Sequence, residues 1–250
     1  MVRLVLLIVA LAACEFSASA ANGTCGAADN KDDCKALLDF WRAMGSFTCD
    51  QNCQQNPPYG GKGFADGTAL CGWYGIECDK SGRVSELDFT VAVNSCPIPM
   101  CKYGDPCYEL PQSLGLLKGL DTISLALGLD GTIPASLGSL PQLKYIFLSF
   151  NGLSGTVPDS LGALSNLEVL QLADNKLTGT VPDSFGNLTN LRQLRMDDNK
   201  ITGFPNSICH LTSGYPDNGN LSDCMMGQNP LKYCPPCAKD RCDTFDDCPK

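Results

Sequence analysis

Apolar residues recur along the middle of the chain at fixed offsets. Between Leu120 and Pro205 the leading leucines of successive segments, Leu120, Leu143, Leu167 and Leu191, are separated by 23, 24 and 24 residues. Each opens the same frame, plainest in Leu167-x-x-Leu170-x-Leu172-x-x-Asn175-x-Leu177-x-Gly179-x-Val181-Pro182-x-x-Phe185-Gly186-x-Leu188. Leu143, Ile146, Leu148, Asn151, Leu153, Gly155, Val157 and Pro158 fill it in one segment, and Leu191, Leu194, Met196, Asn199, Ile201, Gly203, Phe204 and Pro205 in another. Leu120, Ile123, Leu125, Gly131, Ile133 and Pro134 hold a version one residue shorter. A period of this length predicts a solenoid. One coil cannot bury its apolar side alone, so coils stack and their leucines join into one core.

Within the frame, Leu170 and Leu172 are two apart, which puts both on the buried side of a short strand and turns Val169, Gln171 and Ala173 outward. Six such strands, parallel and forming one concave sheet, are predicted near Leu87, Ile123, Ile146, Leu170, Leu194 and Cys224. Asn175 stands where the chain leaves the strand. Buried there, its amide can satisfy backbone groups of its own and adjacent coils. Gly179 and Pro182 predict an irregular return path.

The flanks read differently. Asp32 to Gly45 predicts a short helix capped by Asp32 or Asp33, with Leu37, Trp41 and Met44 on one face, placed to cover the first coil. Ser46 to Ala69 reads as a loop pinned by Cys49 and Cys53. Cys71 to Cys78, a turn at Asp79–Gly82 and the run Arg83–Phe89 predict a hairpin leading into the first strand. An insertion carrying Cys96, Cys101 and Cys107 separates Phe89 from Leu110. Ala92 and Gly128 occupy the turn-Asn position in the first two coils, so the Asn series starts at Asn151. Leu221-x-x-Cys224-x-Met226-x-x-Asn229 begins 30 residues after Leu191, which predicts a bulge of about six residues near Ser213–Gly219.

The repeat frame, together with Ala36-Leu37-Leu38-x-Phe40 and Cys71-x-Trp73-x-Gly75-x-x-Cys78, resembles plant-type extracellular leucine-rich repeat proteins over roughly Asp32 to Cys234. The resemblance implies an α/β solenoid of about six coils with a helical N-terminal cap and disulfide-rich ends. Cys71 and Cys78 are then the expected pair. The family includes receptor-kinase ectodomains and inhibitors of cell-wall polygalacturonases, so the resemblance implies a binding module without enzymatic activity. The sequence reads as lacking the transmembrane helix and kinase of the receptors and as holding fewer repeats, so no particular ligand is expected to transfer. The expected division is a leader over 1–20, a Cys-rich cap over 21–83, repeats over 84–232 and a Cys-rich tail over 233–250.

Composition narrows the setting. Sixteen cysteines point to an oxidising compartment. The basic start at Arg3, the apolar run Leu4–Ala13 and Ala18-Ser-Ala20 predict a cleaved secretory leader, too short to span a bilayer. Leu11-Ala-Ala-Cys14 also resembles a bacterial lipoprotein box, a reading the plant-type repeats disfavour. A secreted, extracellular or cell-wall protein is expected, with no membrane insertion of the mature chain. Asn22, Asn187 and Asn220 open glycosylation sequons. A net charge of −9 without a Lys/Arg cluster argues against nucleic acid and anionic membrane surfaces as partners.

Candidate chemistry is sparse. Cys234-Pro-Pro-Cys237 could be a redox dithiol, or with Cys242 and Cys248 a zinc site, but structural disulfides are the expected use in a secreted chain. His210 is the single histidine, which leaves no partner imidazole for a catalytic constellation. No cofactor or metal is expected. Function is therefore sought on the outward side of the strands. The column Asp88, Ser124, Phe147, Gln171, Arg195, Met225 varies from coil to coil, as a recognition surface does, whereas a structural cell-wall or surface-layer protein, the alternative, would repeat itself. The expected ligand site on the concave face has Tyr145, Phe147 and Phe150 as anchors and Leu127 and Val169 beside them. Gln171, Arg195, Asp197 and Asp198 are expected as a polar rim, and an extracellular protein or peptide as partner.

Overall fold

The computed structural model describes residues 29–43, 70–72, 75–90, 109–126, 128–212 and 220–235, with Cys25, Cys237 and Cys242. The expected leader, the 46–69 loop, the Cys-rich insertion, Trp73, Leu127, Asn22 and Cys248 lie outside these residues.

A helix, α1 (Lys31–Ala43), precedes the coils. Its cap is Asn30, not Asp32 or Asp33: Asn30 Oδ1 accepts from the backbone N–H groups of Asp32 at 3.0 Å and Asp33 at 3.2 Å. Asp33 instead turns inward. Fully buried, it accepts from Arg83 Nε at 2.8 Å, Arg83 Nη2 at 2.7 Å and the Val84 N–H at 3.0 Å. A buried carboxylate is tolerated only with partners of this kind, and the pair ties the cap to the first coil. Ala36, Leu37 and Phe40 form the buried side of α1, with the Phe40 ring 5.7 Å from that of Phe89.

Strands β1 (Ile76–Cys78) and β2 (Val84–Thr90) form the expected antiparallel hairpin. From β2 onward the concave sheet is parallel: β3 (Thr122–Ala126), β4 (Tyr145–Phe147), β6 (Val169–Gln171), β8 (Gln193–Arg195) and β10 (Asp223–Met225), in that order. Leu87, Ile123, Ile146, Leu170, Leu194 and Cys224 are in register across it, all pointing into the core.

Where the strands end, the asparagines do the work expected of them. Asn175 Nδ2 lies 2.9 Å from the Leu148 carbonyl and 3.1 Å from those of Leu172 and Ala173, while its Oδ1 accepts from the Leu153 N–H at 3.0 Å. Asn151, Asn199 and Asn229 repeat the pattern one coil at a time. Each buried group left unmade there would cost about 1–3 kcal/mol.

The return path is not irregular as expected. It carries a second parallel sheet, β5 (Ser154–Thr156), β7 (Lys176–Thr180) and β9 (Lys200–Gly203), and a short 3-10 helix follows in each coil before that of β10. Gly179 does not break β7. It sits in the strand with φ 76°, a conformation open to glycine, and pairs with Ile201 on β9 before the register shifts by one residue at Thr180. Hydroxyls reinforce the stack, with Thr178 Oγ1 donating to the Gly155 carbonyl at 3.2 Å and Thr202 Oγ1 to that of Gly179 at 3.1 Å. The prolines, Pro134, Pro158 and Pro182 among them, stand at the N-caps of the 3-10 helices, where a missing N–H costs nothing. Leu137, Leu161, Phe185 and Ile208 reach from these helices into the core.

Candidate functional site

On the concave sheet every second side chain faces away from the core, which gives two columns. Glu86, Thr122, Tyr145, Val169, Gln193 and Asp223 form one; Asp88, Ser124, Phe147, Gln171, Arg195 and Met225 form the other. Tyr145 and Phe147, two apart on β4, lie almost parallel, with ring planes 7° apart and centroids at 6.4 Å. They lean on one another, so both are half-buried rather than open. Val169 lies beside Tyr145, and Gln171 beside Phe147.

Phe150 occupies a different row. Its N–H donates to the Ala173 carbonyl at 3.1 Å, and its backbone is left-handed at φ 59°. Asp174, Asp198 and Gln228 take the same conformation in the following coils, at φ 54°, 54° and 57°. The turn demands this geometry, which Asp accepts more readily than a bulky aromatic. The Phe150 ring is 74% exposed, on the margin of the sheet face. Asp198 thus belongs to this row, and Asp197 precedes it just past the end of β8. Burial, then Asp198, then Asp197 push the Asp174 carboxyl above its ordinary range. Leu127 lies outside the described residues.

The far side of the rings is polar and internally paired. Gln171 Nε2 donates to Gln193 Oε1 at 2.8 Å, Gln193 Nε2 donates to Asp223 Oδ2, and Arg195 Nη2 reaches the same oxygen at 2.8 Å. Burial pushes the Asp223 carboxyl up, but the hydrogen bonds from Arg195 and Gln193 and the Arg195 charge outweigh it and hold it below the usual carboxylate range. Gln193 and Asp223 were not among the expected site residues. The alternation that placed Gln171 and Arg195 outward applies to them equally.

Toward the N-terminal end the face turns acidic. Glu77 on β1 lies opposite Glu86 on β2, Asp88 follows in the second column, and Asp121 precedes β3. Burial raises the Glu86 carboxyl, and Glu77, Asp88 and Asp121 raise it further.

Other candidate chemistry resolves into structure. Cys237 pairs with Cys209, and Cys224 with Cys242; Cys234 is also in a disulfide, so Cys234-x-x-Cys237 is not a free dithiol. At the other end Cys71 pairs with Cys78, and Cys25 with Cys34. His210 sits exposed near the end of a 3-10 helix. Among the described residues no His, Cys, Asp and Glu cluster could hold a metal ion, and no helix is long and apolar enough to cross a membrane. Asn187 and Asn220 are both exposed, Asn220 with its Nδ2 donating to the Thr189 carbonyl at 3.1 Å.

A family model described as leucine rich repeat matches residues 141–201. The leucine-rich repeat receptor-like serine/threonine-protein kinase RGI4 of Arabidopsis thaliana is 36% identical over 82 residues, 32% of this chain and 6% of that protein. Among solved structures, the chain is similar to the leucine-rich repeat ectodomain of the receptor kinase GASSHO1/SCHENGEN3 from Arabidopsis thaliana, in complex with Casparian strip integrity factor 2. The TM-score is 0.61 at 25% identity, over 79% of this chain and 21% of that one. It is also similar in fold to the leucine-rich repeat ectodomain of the Arabidopsis thaliana receptor kinase SOBIR1, with TM-score 0.60 at 22% identity, over 83% of this chain and 97% of that one. The match thus spans a small part of the first two proteins.

Proposed function

We propose that this leucine-rich repeat solenoid, similar to plant receptor ectodomains, is an extracellular recognition module that binds a protein or peptide on its concave sheet. The observation that carries the reading is the outward face of β4. Tyr145 and Phe147 present two parallel rings on a surface whose neighbouring columns change from coil to coil. Large aromatics held on a rigid sheet lose little entropy on binding, which makes them effective anchors. Val169 extends the apolar area, Phe150 marks its margin, and Gln171, Arg195, Asp197 and Asp198 form the polar edge. The complex of the GASSHO1/SCHENGEN3 ectodomain is consistent with this use of the scaffold. Disulfides at both ends suit an oxidising, extracellular setting. Asn187 and Asn220 are the proposed glycan attachment sites. A role in defence, signalling or inhibition of a foreign hydrolase fits a module of this kind.

The test replaces Tyr145 and Phe147 by Ala together and compares both proteins, immobilised, against extracellular fluid from the native source. Partners retained by the parent should bind the double variant more weakly by about 2 kcal/mol or more, with nearly the same melting temperature. Equal retention by both proteins, or a collapse of stability in the variant, would show that the rings serve packing.

A further inference from the structure

The polar edge beside the rings has a direction. Asp223 on β10 stands level with Gln193 on β8, and the Arg195 guanidinium 2.8 Å away favours its charged form. A carboxylate only accepts hydrogen bonds, so Gln193 has to turn its Nε2 toward Asp223 Oδ2. The other arm of that amide is an oxygen, and it is left facing Gln171. Gln171 must then present its own Nε2, which donates to Gln193 Oε1 at 2.8 Å. The charge on Asp223 thus orients an amide two strands away, about 10 Å across the sheet.

At the end of this relay an acceptor is left over. Among the described residues the one hydrogen bond of the Gln171 side chain is that from Nε2 to Gln193, which leaves Oε1 open. Gln171 is half-buried and in register with Phe147, one strand spacing of about 5 Å from the strand that bears the rings. Fixed partial negative charge therefore lies beside an apolar platform. The complement is a group that donates next to an apolar side chain. A sugar hydroxyl can donate or accept and gains little from a fixed polarity, whereas a backbone N–H only donates. An extended peptide brings one such N–H about every 3.3 Å, within reach of the side chain that seats on the rings.

We propose that Gln171 reads the backbone of an extended peptide: its Oε1 accepts from a ligand N–H within one residue of the side chain seated on Tyr145 and Phe147. Gln193 and Asp223 are positioning residues that keep the oxygen turned to the ligand. The proposal rests on the concave face being the recognition surface and adds the contact that makes it select peptide.

Four blocked pentapeptides test it by chemical-shift titration of the full chain labelled with nitrogen-15. One is acetyl-Gly-Gly-Phe-Gly-Gly-amide. The others replace a single N–H, at Phe or at either neighbouring glycine, by an ester oxygen. One ester peptide should bind about tenfold more weakly than the all-amide peptide, the effect of leaving one acceptor unpaired. The Gln171 side-chain amide signals should move on binding. In Gln171→Met all four peptides should bind alike, and more weakly than the all-amide peptide binds the parent. In Gln193→Met the amide-over-ester preference should shrink although Gln171 is still present, a change that lost packing would not single out. In Tyr145→Ala/Phe147→Ala binding of every peptide should fall. Ring-dependent binding with no ester penalty, or a penalty that survives in Gln171→Met, would overturn the backbone contact and leave the recognition surface standing. A penalty undiminished in Gln193→Met would overturn the relay. Undiminished binding without the rings, or no binding of the all-amide peptide, would remove the surface itself.

Discussion

Phe150 shows what a single residue gives up for its position. The turn after β4 needs a left-handed backbone, and the equivalent positions in later coils hold Asp174, Asp198 and Gln228. An aromatic residue there costs about 1–2 kcal/mol relative to one suited to that geometry, and its ring recovers little by burial at 74% exposure. Strain retained at an exposed aromatic beside a candidate anchor site points to use. Phe150→Asn should therefore raise the melting temperature by about 2–4 °C, read by thermal denaturation. A lower melting temperature would mean that the ring contributes packing that outweighs the strain.

At the scale of elements, coil spacing on the outer side is set by glycine and serine. In the 3-10 helix Ala135–Ser139, a Cβ on Gly138 would lie 2.2 Å from the Ser160 carbonyl oxygen and 2.4 Å from its carbon. The obstacle is backbone, so no rotamer change relieves it. Gly115, Gly162 and Gly186 face Ser136, Ser184 and Ser207 in the same way, with nearest serine atoms at 2.6, 2.2 and 2.6 Å. Ser160, Ser184 and Ser207 then donate their hydroxyls to the carbonyls of Ala135, Asp159 and Asp183 at 2.6, 2.9 and 2.8 Å. Gly138→Ala should destabilise by about 2 kcal/mol, measured by denaturant titration. Gly203→Ala, whose Cβ would meet nothing nearer than 3.5 Å, should cost far less. Equal losses would mean that coil separation is not set by this contact. The spacing of these glycines was visible in the repeat. The serine each must clear was not, because it lies a full coil away.

Across the whole molecule, stability is a chain of neighbour contacts, so damage at one end should stay there. The last strand, β10, is held to the tail by Cys224–Cys242, with a sequence separation of 18. Losing that link should cost about 3 kcal/mol locally. Cys224→Ser/Cys242→Ser should therefore speed hydrogen exchange at β10 and Asn229 while β4 and β6 stay protected, and uniform loss of protection would instead show one cooperative unit. This linear architecture also explains what could be read from the residues alone. The period of the leucines settled the solenoid, the direction and register of its concave sheet, and the asparagine series, because each depends on offsets within a coil and between neighbours. The alternation along each strand likewise settled which side chains face outward. Contacts between coils settled the rest. They decided that the return path is a second sheet followed by 3-10 helices and that Asp33 abandons the helix end for Arg83. They also gathered Glu77, Glu86, Asp88 and Asp121 at one end of the face. Close approach of backbones and the summing of charges through space have no signature in a repeat pattern, since both depend on which atoms the stacking brings within a few ångströms.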